Sequence, residues 1–199
     1  SPAKVQTLLA MGASVIAGDV QELTPELRGL SHRLARDFAG LVGANVYCSF
    51  GGVQAFDTHF DLHHVFAVQL EGEKTWRLYE NRAEAPVSFP VDDAEARRWF
   101  AQTRGPLMTE VRMQPGDVLY LPRGWYHDAL AEAPNSVHIA YGVHAPMGVD
   151  FIGLLTERAF HDAEFRKPLP RQDGSAAAKY ALTQRAALLG QRIGEWSRD

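Results

Sequence analysis

The chain has 199 residues, 46% of them hydrophobic and 22% charged, the composition of one ordinary soluble domain with room for a helical appendage. A formal net charge of −4 excludes the overall basic field on which binding to a phosphate backbone relies, so direct nucleic-acid binding is not expected. The single cysteine, Cys48, excludes an internal disulfide framework and a cysteine-rich zinc site, and any metal must be held by His, Asp or Glu.

Residues 1–40 read as a helical flank. Lys4 to Met11 form a short segment stopped by Gly12, and Thr24 with Pro25 has the form of an N-cap followed by proline at the first helical position. Leu27, Leu30, Leu34 and Phe38 then mark one apolar face at helical spacing. From Ala44 to Tyr79 the texture changes to alternation, with β-branched and aromatic residues at strand period. "LEGEKTWRLY" predicts a tight hairpin turning at Glu71 and Gly72, with Lys74, Trp76 and Leu78 on one side of the returning strand. A short helix is expected over Asp92 to Ala101. Strands follow in "LMTEVRM", "DVLYLP" and "SVHIAYGV", separated by Pro and Gly. After Pro146 the pattern is helical again, and the last helix runs from Ala176 to Trp196. The organisation expected is a helical flank (1–40), a β-barrel (41–146) and a helical segment (147–199). No apolar run approaches the roughly 20 residues that cross a bilayer, and no basic region precedes an apolar stretch at the start. No membrane association is expected, and a cytoplasmic location is. The abrupt beginning points to upstream residues lost or trimmed.

"THFDLHH" gathers His59, Asp61, His63 and His64 in a chain with eight histidines. In a strand, side chains at i and i+2 share a face, so His59 and Asp61 can bind one ion together. Asp57 and His63 have the same phase. A third ligand must come from elsewhere, and "PGDVLYLPRGWYH" offers His127 just past a turn-strand-turn unit; His138 is the alternative. Two His and one carboxylate on one face of an octahedral ion are the donor set of non-haem Fe(II) oxygenases, with zinc the chemical competitor. Lys74 in a barrel needs an anion, because a buried ammonium without one costs several kcal/mol. The distal carboxylate of 2-oxoglutarate is the expected partner, its 2-oxo acid end chelating iron. Asn45, Tyr47 and Ser49 share one strand phase and have hydrogen-bonding groups for the same cosubstrate or for the substrate.

"GANVYCSFGGVQAFDTHFDLHHVFAVQLEGEKTWRLYE", "MQPGDVLYLPRGWYHDAL" and "SVHIAYGV", in that order, resemble the JmjC-type cupin-fold oxygenases that depend on Fe(II) and 2-oxoglutarate, and among them the ribosomal oxygenase group. The likeness spans residues 40–146. It implies a mainly β fold, a double-stranded β-helix or jelly roll, with α-helices outside it. It implies that His59, Asp61 and His127 bind iron and that Lys74 holds 2-oxoglutarate; the strand phase, not the likeness, adds Ser49 and Tyr47 to the cosubstrate site. The activity implied is hydroxylation of a protein or peptide side chain by O₂, coupled to decarboxylation of 2-oxoglutarate to succinate. A homodimer through the flanking helices is also implied. N-methyl demethylation is a variant of the same chemistry, and a 2-oxoglutarate-independent metal cupin and a non-catalytic peptide-binding module are the other classes.

Several side chains have plainer readings. Asn45, His63, Trp125 and His138 are candidates for the substrate pocket, although a histidine in an apolar strand such as His138 is commonly a hydrogen-bonded core residue. His32, His144 and His161 are expected at the surface. Trp76, Trp99 and Trp196 are expected in cores or interfaces, and Cys48, on the opposite strand phase from Tyr47, in packing. Glu84, Asp92, Asp93 and Glu95 form an acidic stretch suited to a basic peptide or simply to solvent.

Overall fold

The computed structural model describes residues 2–11, 13–50, 56–89, 93–132, 134–171 and 173–198. Gly12 and Asp92, named above, lie outside the described residues. The chain divides into two compact units, Ser1–Ala145 and Pro146–Asp199.

The first unit is a jelly roll. Its strands are β1 (Val15–Ala17), β2 (Leu41–Phe50), β3 (His64–Glu71), β4 (Lys74–Arg82), β5 (Leu107–Met113), β6 (Val118–Leu121), β7 (Trp125–Ala131) and β8 (Asn135–His144). A five-stranded sheet has the order β1-β2-β8-β3-β6 and a three-stranded sheet the order β5-β4-β7, and every pairing is antiparallel. From β3 onward the chain alternates between the sheets, entering the small one at β4 and β7 and returning to the large one at β6 and β8. Each inner face therefore receives side chains from strands far apart in sequence.

That alternation corrects two expectations. "LEGEKTWRLY" is not a hairpin: β3 pairs with β6 and β8, β4 pairs with β5 and β7, and Gly72 turns the chain from one sheet to the other. The turn chemistry is that of a hairpin, but turn residues set only a reversal, and the partner strands decide the pairing. Gly72 has φ +61°, and a Cβ there would lie 1.9 Å from the carbonyl oxygen of Asn135. Residues 1–40 are not wholly helical either, since β1 adds a short edge strand to β2. Three residues are too few for period-two alternation to be legible.

Helices cover the outer faces. Helix α2 (Pro25–Asp37) begins as expected, with the Thr24 hydroxyl accepting from the Leu27 amide at 3.3 Å, a cap worth about 1 kcal/mol. Its inner stripe is Leu27, Ser31 and Leu34, while Leu30 is 39% exposed, so the apolar face is rotated from the one expected. Leu27 and Leu34 pack with Val20, Ala44, Ile139 and Tyr141 against the large sheet. Helix α3 (Asp93–Thr103) places Phe100 with Phe60, Tyr79 and Tyr126 against the small sheet. Between the sheets, Val65, Ala67, Trp76, Leu78, Met113 and Leu121 form the inner core. A short helix, α1 (Pro2–Ala10), precedes β1.

The second unit comprises α4 (Gly148–His161), a single turn α5 (Ala163–Arg166) and α6 (Ala176–Trp196). Ion pairs from Arg192 to Asp162 (2.6 Å) and from Arg185 to Glu164 (2.7 Å) tie α6 to the α4–α5 corner, and Trp196 lies tilted against Phe165. None of its described residues is buried. No helix among the described residues is long and apolar enough to cross a membrane.

Candidate metal centre

His59 lies outside any named strand, in an isolated antiparallel bridge with His127 of β7. The two residues exchange both backbone hydrogen bonds, His59 N–H to His127 O at 3.0 Å and His127 N–H to His59 O at 2.8 Å. One turn further on, the Gly124 amide donates to the carbonyl of Asp61 at 2.9 Å. The strand expected over the His-x-Asp pair is thus an extended segment pinned to the start of β7. The pinning brings the pair to the third residue: ligand atoms of His59, Asp61 and His127 all lie within 4.8 Å of one another, and His127 Nε2 is 3.4 Å from Asp61 Oδ2.

Both imidazoles are held in the same way. His59 Nδ1 is 2.8 Å from the carbonyl of Asp57, and His127 Nδ1 is 2.8 Å from the carbonyl of Trp125. A carbonyl only accepts, so each Nδ1 carries the proton and each Nε2 keeps its lone pair for an ion. Burial, aided by the neighbouring His59, lowers the His127 pKa to about 4, so this ring is neutral at physiological pH, the form that coordinates a metal. Among the described residues this is the group of His, Cys, Asp and Glu with the spacing to hold an ion.

The three residues line a cavity of about 510 Å³ inside the jelly roll. Lys74, 4% exposed, projects into it from β4. Its Nζ donates to Ser49 Oγ at 3.3 Å and lies 3.4 Å from His138 Nδ1, and among the described residues it forms no ion pair. Burial alone lowers its pKa to about 8. Burial first, then the lysine charge, lowers His138 to about 3, so His138 is neutral and its Nδ1 accepts from Lys74. Tyr47 stacks flat on His138 at 4.7 Å between centroids. The buried indole Nε1 of Trp76, which also lines the cavity, has no hydrogen-bond partner among the described residues. An uncompensated ammonium and an unpartnered donor beside a vacant-valence donor set fit an anionic, metal-chelating guest.

The other candidates are distributed unevenly. Asn45, Tyr47, His63 and His138 line the cavity, and Ser49 is buried behind Lys74. Trp125 does not line it, although it shares the strand phase of His127: the β4–β7 register shifts between the Leu78–His127 and Arg82–Trp125 pairs, and its indole N–H donates to the Tyr79 carbonyl at 2.9 Å. His64 packs against Phe38 and accepts or donates at 2.8 Å with the Tyr120 hydroxyl, away from the cavity. His144 is exposed, its ring tilted against that of His63. Phe56 and Phe89, both from connecting segments, and Val65, Ala129, Ala140 and Gly142 line the cavity without having been expected there. The last three were accessible from alternation, since they lie two residues beyond His127 and two and four beyond His138; the two phenylalanines carried no such signal.

A family model described as JmjC domain matches residues 21–151. The chain belongs to the JmjC-domain family. Among its relatives, bovine ribosomal oxygenase 2 is 34% identical over 164 residues, covering 76% of this chain and 33% of that one. Zebrafish ribosomal oxygenase 1 is 37% identical over 146 residues, covering 69% and 26%. The Dictyostelium discoideum bifunctional lysine-specific demethylase and histidyl-hydroxylase NO66 is 35% identical over 167 residues, covering 80% and 32%. The JmjC chain thus spans a third or less of the length of these relatives. In fold it is similar to the Escherichia coli ribosomal oxygenase YcfD, solved in complex with cobalt and 2-oxoglutarate, with a TM-score of 0.57 at 18% identity over 88% of this chain and 46% of that one. The JmjC jelly roll accounts for the convergence of His59, Asp61, His127 and Lys74 from three separate strands and segments onto one inner face.

Proposed function

We propose that this JmjC chain carries the catalytic site of an Fe(II)- and 2-oxoglutarate-dependent oxygenase that hydroxylates a side chain of a protein or peptide. The observation that carries the reading is the pairing, in one cavity, of the His59–Asp61–His127 donor set with a buried cation that lacks a counter-ion. A relative in fold was solved with cobalt and 2-oxoglutarate, and relatives in sequence bear the names ribosomal oxygenase and histidyl-hydroxylase.

In this reading His59, Asp61 and His127 would hold the iron, a donor set that leaves room for a chelating cosubstrate. Lys74 receives the distal carboxylate of 2-oxoglutarate, Ser49 and the neutral His138 orient the ammonium, and Tyr47 packs His138 in place. Asn45 and His63, with Phe56 and Phe89, line the part left to the substrate side chain and exclude water from it. The bound metal supplies the oxidation of a substrate C–H bond to C–OH by O₂, with 2-oxoglutarate consumed to succinate and CO₂.

Asp61→Ala is expected to reduce succinate formation to below about a hundredth of the native rate, since even the outer hydrogen-bond partners of metal ligands are worth 10–100-fold. An Asp61→Ala chain that turns over 2-oxoglutarate normally would overturn the ligand assignment. The name of the Dictyostelium relative favours one second reading, removal of an N-methyl group from lysine, which a formaldehyde assay on a methylated peptide separates from hydroxylation. Residues 1–40, 41–146 and 147–199 serve in this proposal as flank, catalytic barrel and dimerisation segment. The partner is a protein or peptide, not nucleic acid, in keeping with the net charge of −4. The free thiol of Cys48 accords with a cytoplasmic location.

A further inference from the structure

On the face of β7 opposite His127 lies a buried carboxylate that the proposed chemistry does not use. Asp128 has a fully buried side chain, yet it gathers an unusual set of partners. Thr58 Oγ1 donates to Asp128 Oδ2 at 2.7 Å, Tyr79 Oη donates to the same oxygen at 2.7 Å, and Arg77 Nε donates to Oδ1 at 2.5 Å. Arg104 closes the group: its Nη1 donates to Thr58 Oγ1 at 3.0 Å, its guanidinium lies over the Tyr79 ring at 4.2 Å, and it stands 4.0 Å from Asp128.

The register explains what this cluster holds. His59 is bridged to His127, so in the same antiparallel sense Thr58 stands opposite Asp128. On the other side Arg77 is the β4 partner of Asp128. Asp128 therefore joins three neighbouring strands of chain in one line, from β4 through β7 to the segment carrying His59. That segment is otherwise held by the two backbone bonds of the 59–127 bridge, the one from Gly124 to Asp61, an exposed ion pair from Arg97 to Asp57 and the buried ring of Phe60. The anchor at position 58 is made by side chains and can be removed without touching the backbone. The residues adjoining the two histidines thus meet each other on the face away from the cavity.

We infer that Asp128 and Thr58 are positioning residues that clamp His59 to His127 from behind and set the affinity of the site for its divalent cation. The inference rests on the metal reading given above. The carboxylate cannot itself be a ligand, because it faces away from the cavity, and its buried charge is compensated by Arg77 and two hydroxyl donors.

The test is cobalt(II) binding by the full chain, stripped of metal and titrated by equilibrium dialysis at a temperature where every variant is folded. Thr58→Val keeps the shape and removes the donor, and it is expected to weaken cobalt binding by about tenfold or more, as loss of an outer partner of a metal ligand does. Thr58→Ser restores the hydroxyl and is expected to bind as the native chain does. A purely structural role for the cluster lowers the thermal midpoint of Thr58→Val while leaving its cobalt affinity native, and that result overturns the inference. Asp128→Asn, which keeps the volume, is expected to weaken binding in the same direction, and native affinity in that variant also counts against the clamp. Native chain that takes up no cobalt, or takes it up equally after His59→Ala, sinks the metal reading and this inference with it. Cobalt uptake that depends on His59 but not on Thr58 or Asp128 sinks the inference alone.

Discussion

Lys74 shows how one residue sets a binding property through its surroundings. Burial favours the neutral amine, so its pKa falls from 10.5 to about 8. The folded-state value is depressed, and the unfolded chain therefore holds the extra proton between those two values, so this group makes the ligand-free fold more stable as pH rises across that window and costs it most below. A dianion needs the ammonium form. The apparent Michaelis constant for 2-oxoglutarate is expected to rise as pH increases through about 8, read from succinate formation at several pH values. Lys74→Ala is expected to raise that constant by about tenfold or more and to flatten this pH dependence, since loss of one partner of a buried charged contact costs about 2–5 kcal/mol. A Lys74→Ala chain with native 2-oxoglutarate affinity contradicts the assignment. The identity of Lys74 as an inward residue was legible from alternation with Trp76 and Leu78; its lack of a counter-ion was not, because Ser49 and His138 reach it from other strands.

Elements place these residues by crossing between sheets. Gly72 makes the first crossing with a positive φ and no room for a side chain against the Asn135 backbone. Gly72→Ala is expected to cost about 3 kcal/mol or more and to lower the thermal midpoint by about 6–12 °C, measured by circular dichroism. A midpoint within a degree of native contradicts that account of the turn. Gly142 on β8 acts differently: a Cβ there would meet the His63 ring at 2.7 Å, a contact with a side chain that can move. Its absence of a side chain lets His63 lie over the strand, against the tilted ring of His144. The Thr24 cap and strands β2 to β6 and β8 followed from capping and periodicity, whereas β1 and β7 did not. The β3–β4 hairpin did not, because two strands joined by a tight turn and two strands parted between sheets share the same turn residues.

At the scale of the molecule, the two units differ in how much they bury. The jelly roll encloses a core and a cavity, whereas α4 and α6 leave Ile152 59%, Leu154 69% and Tyr180 66% exposed. An apolar helix surface of this extent is suited to a second copy of the chain, the proposed homodimer. Leu154→Glu together with Ile152→Glu is expected to weaken self-association by about tenfold or more in sedimentation experiments, as a charge left without a partner in an apolar interface does. Equal sedimentation of the native and doubly substituted chains removes the second copy from the proposal.

The sequence by itself determined the elements and the donor set: the Thr24 cap, the last helix from Ala176 to Trp196, the inward phase of Lys74, and His59 with Asp61 two residues apart. These are local properties, fixed by capping, by period and by residue chemistry within a few positions. Only the tertiary structure decided that His138 meets Lys74 instead of the His59–Asp61 pair, that Trp125 turns to the Tyr79 backbone, and that Asp128 bonds the residue before His59. Each of these depends on which strands share a sheet and in what register, and that is settled by cooperative packing of residues as much as 70 positions apart, such as Thr58 and Asp128, beyond the reach of any local pattern.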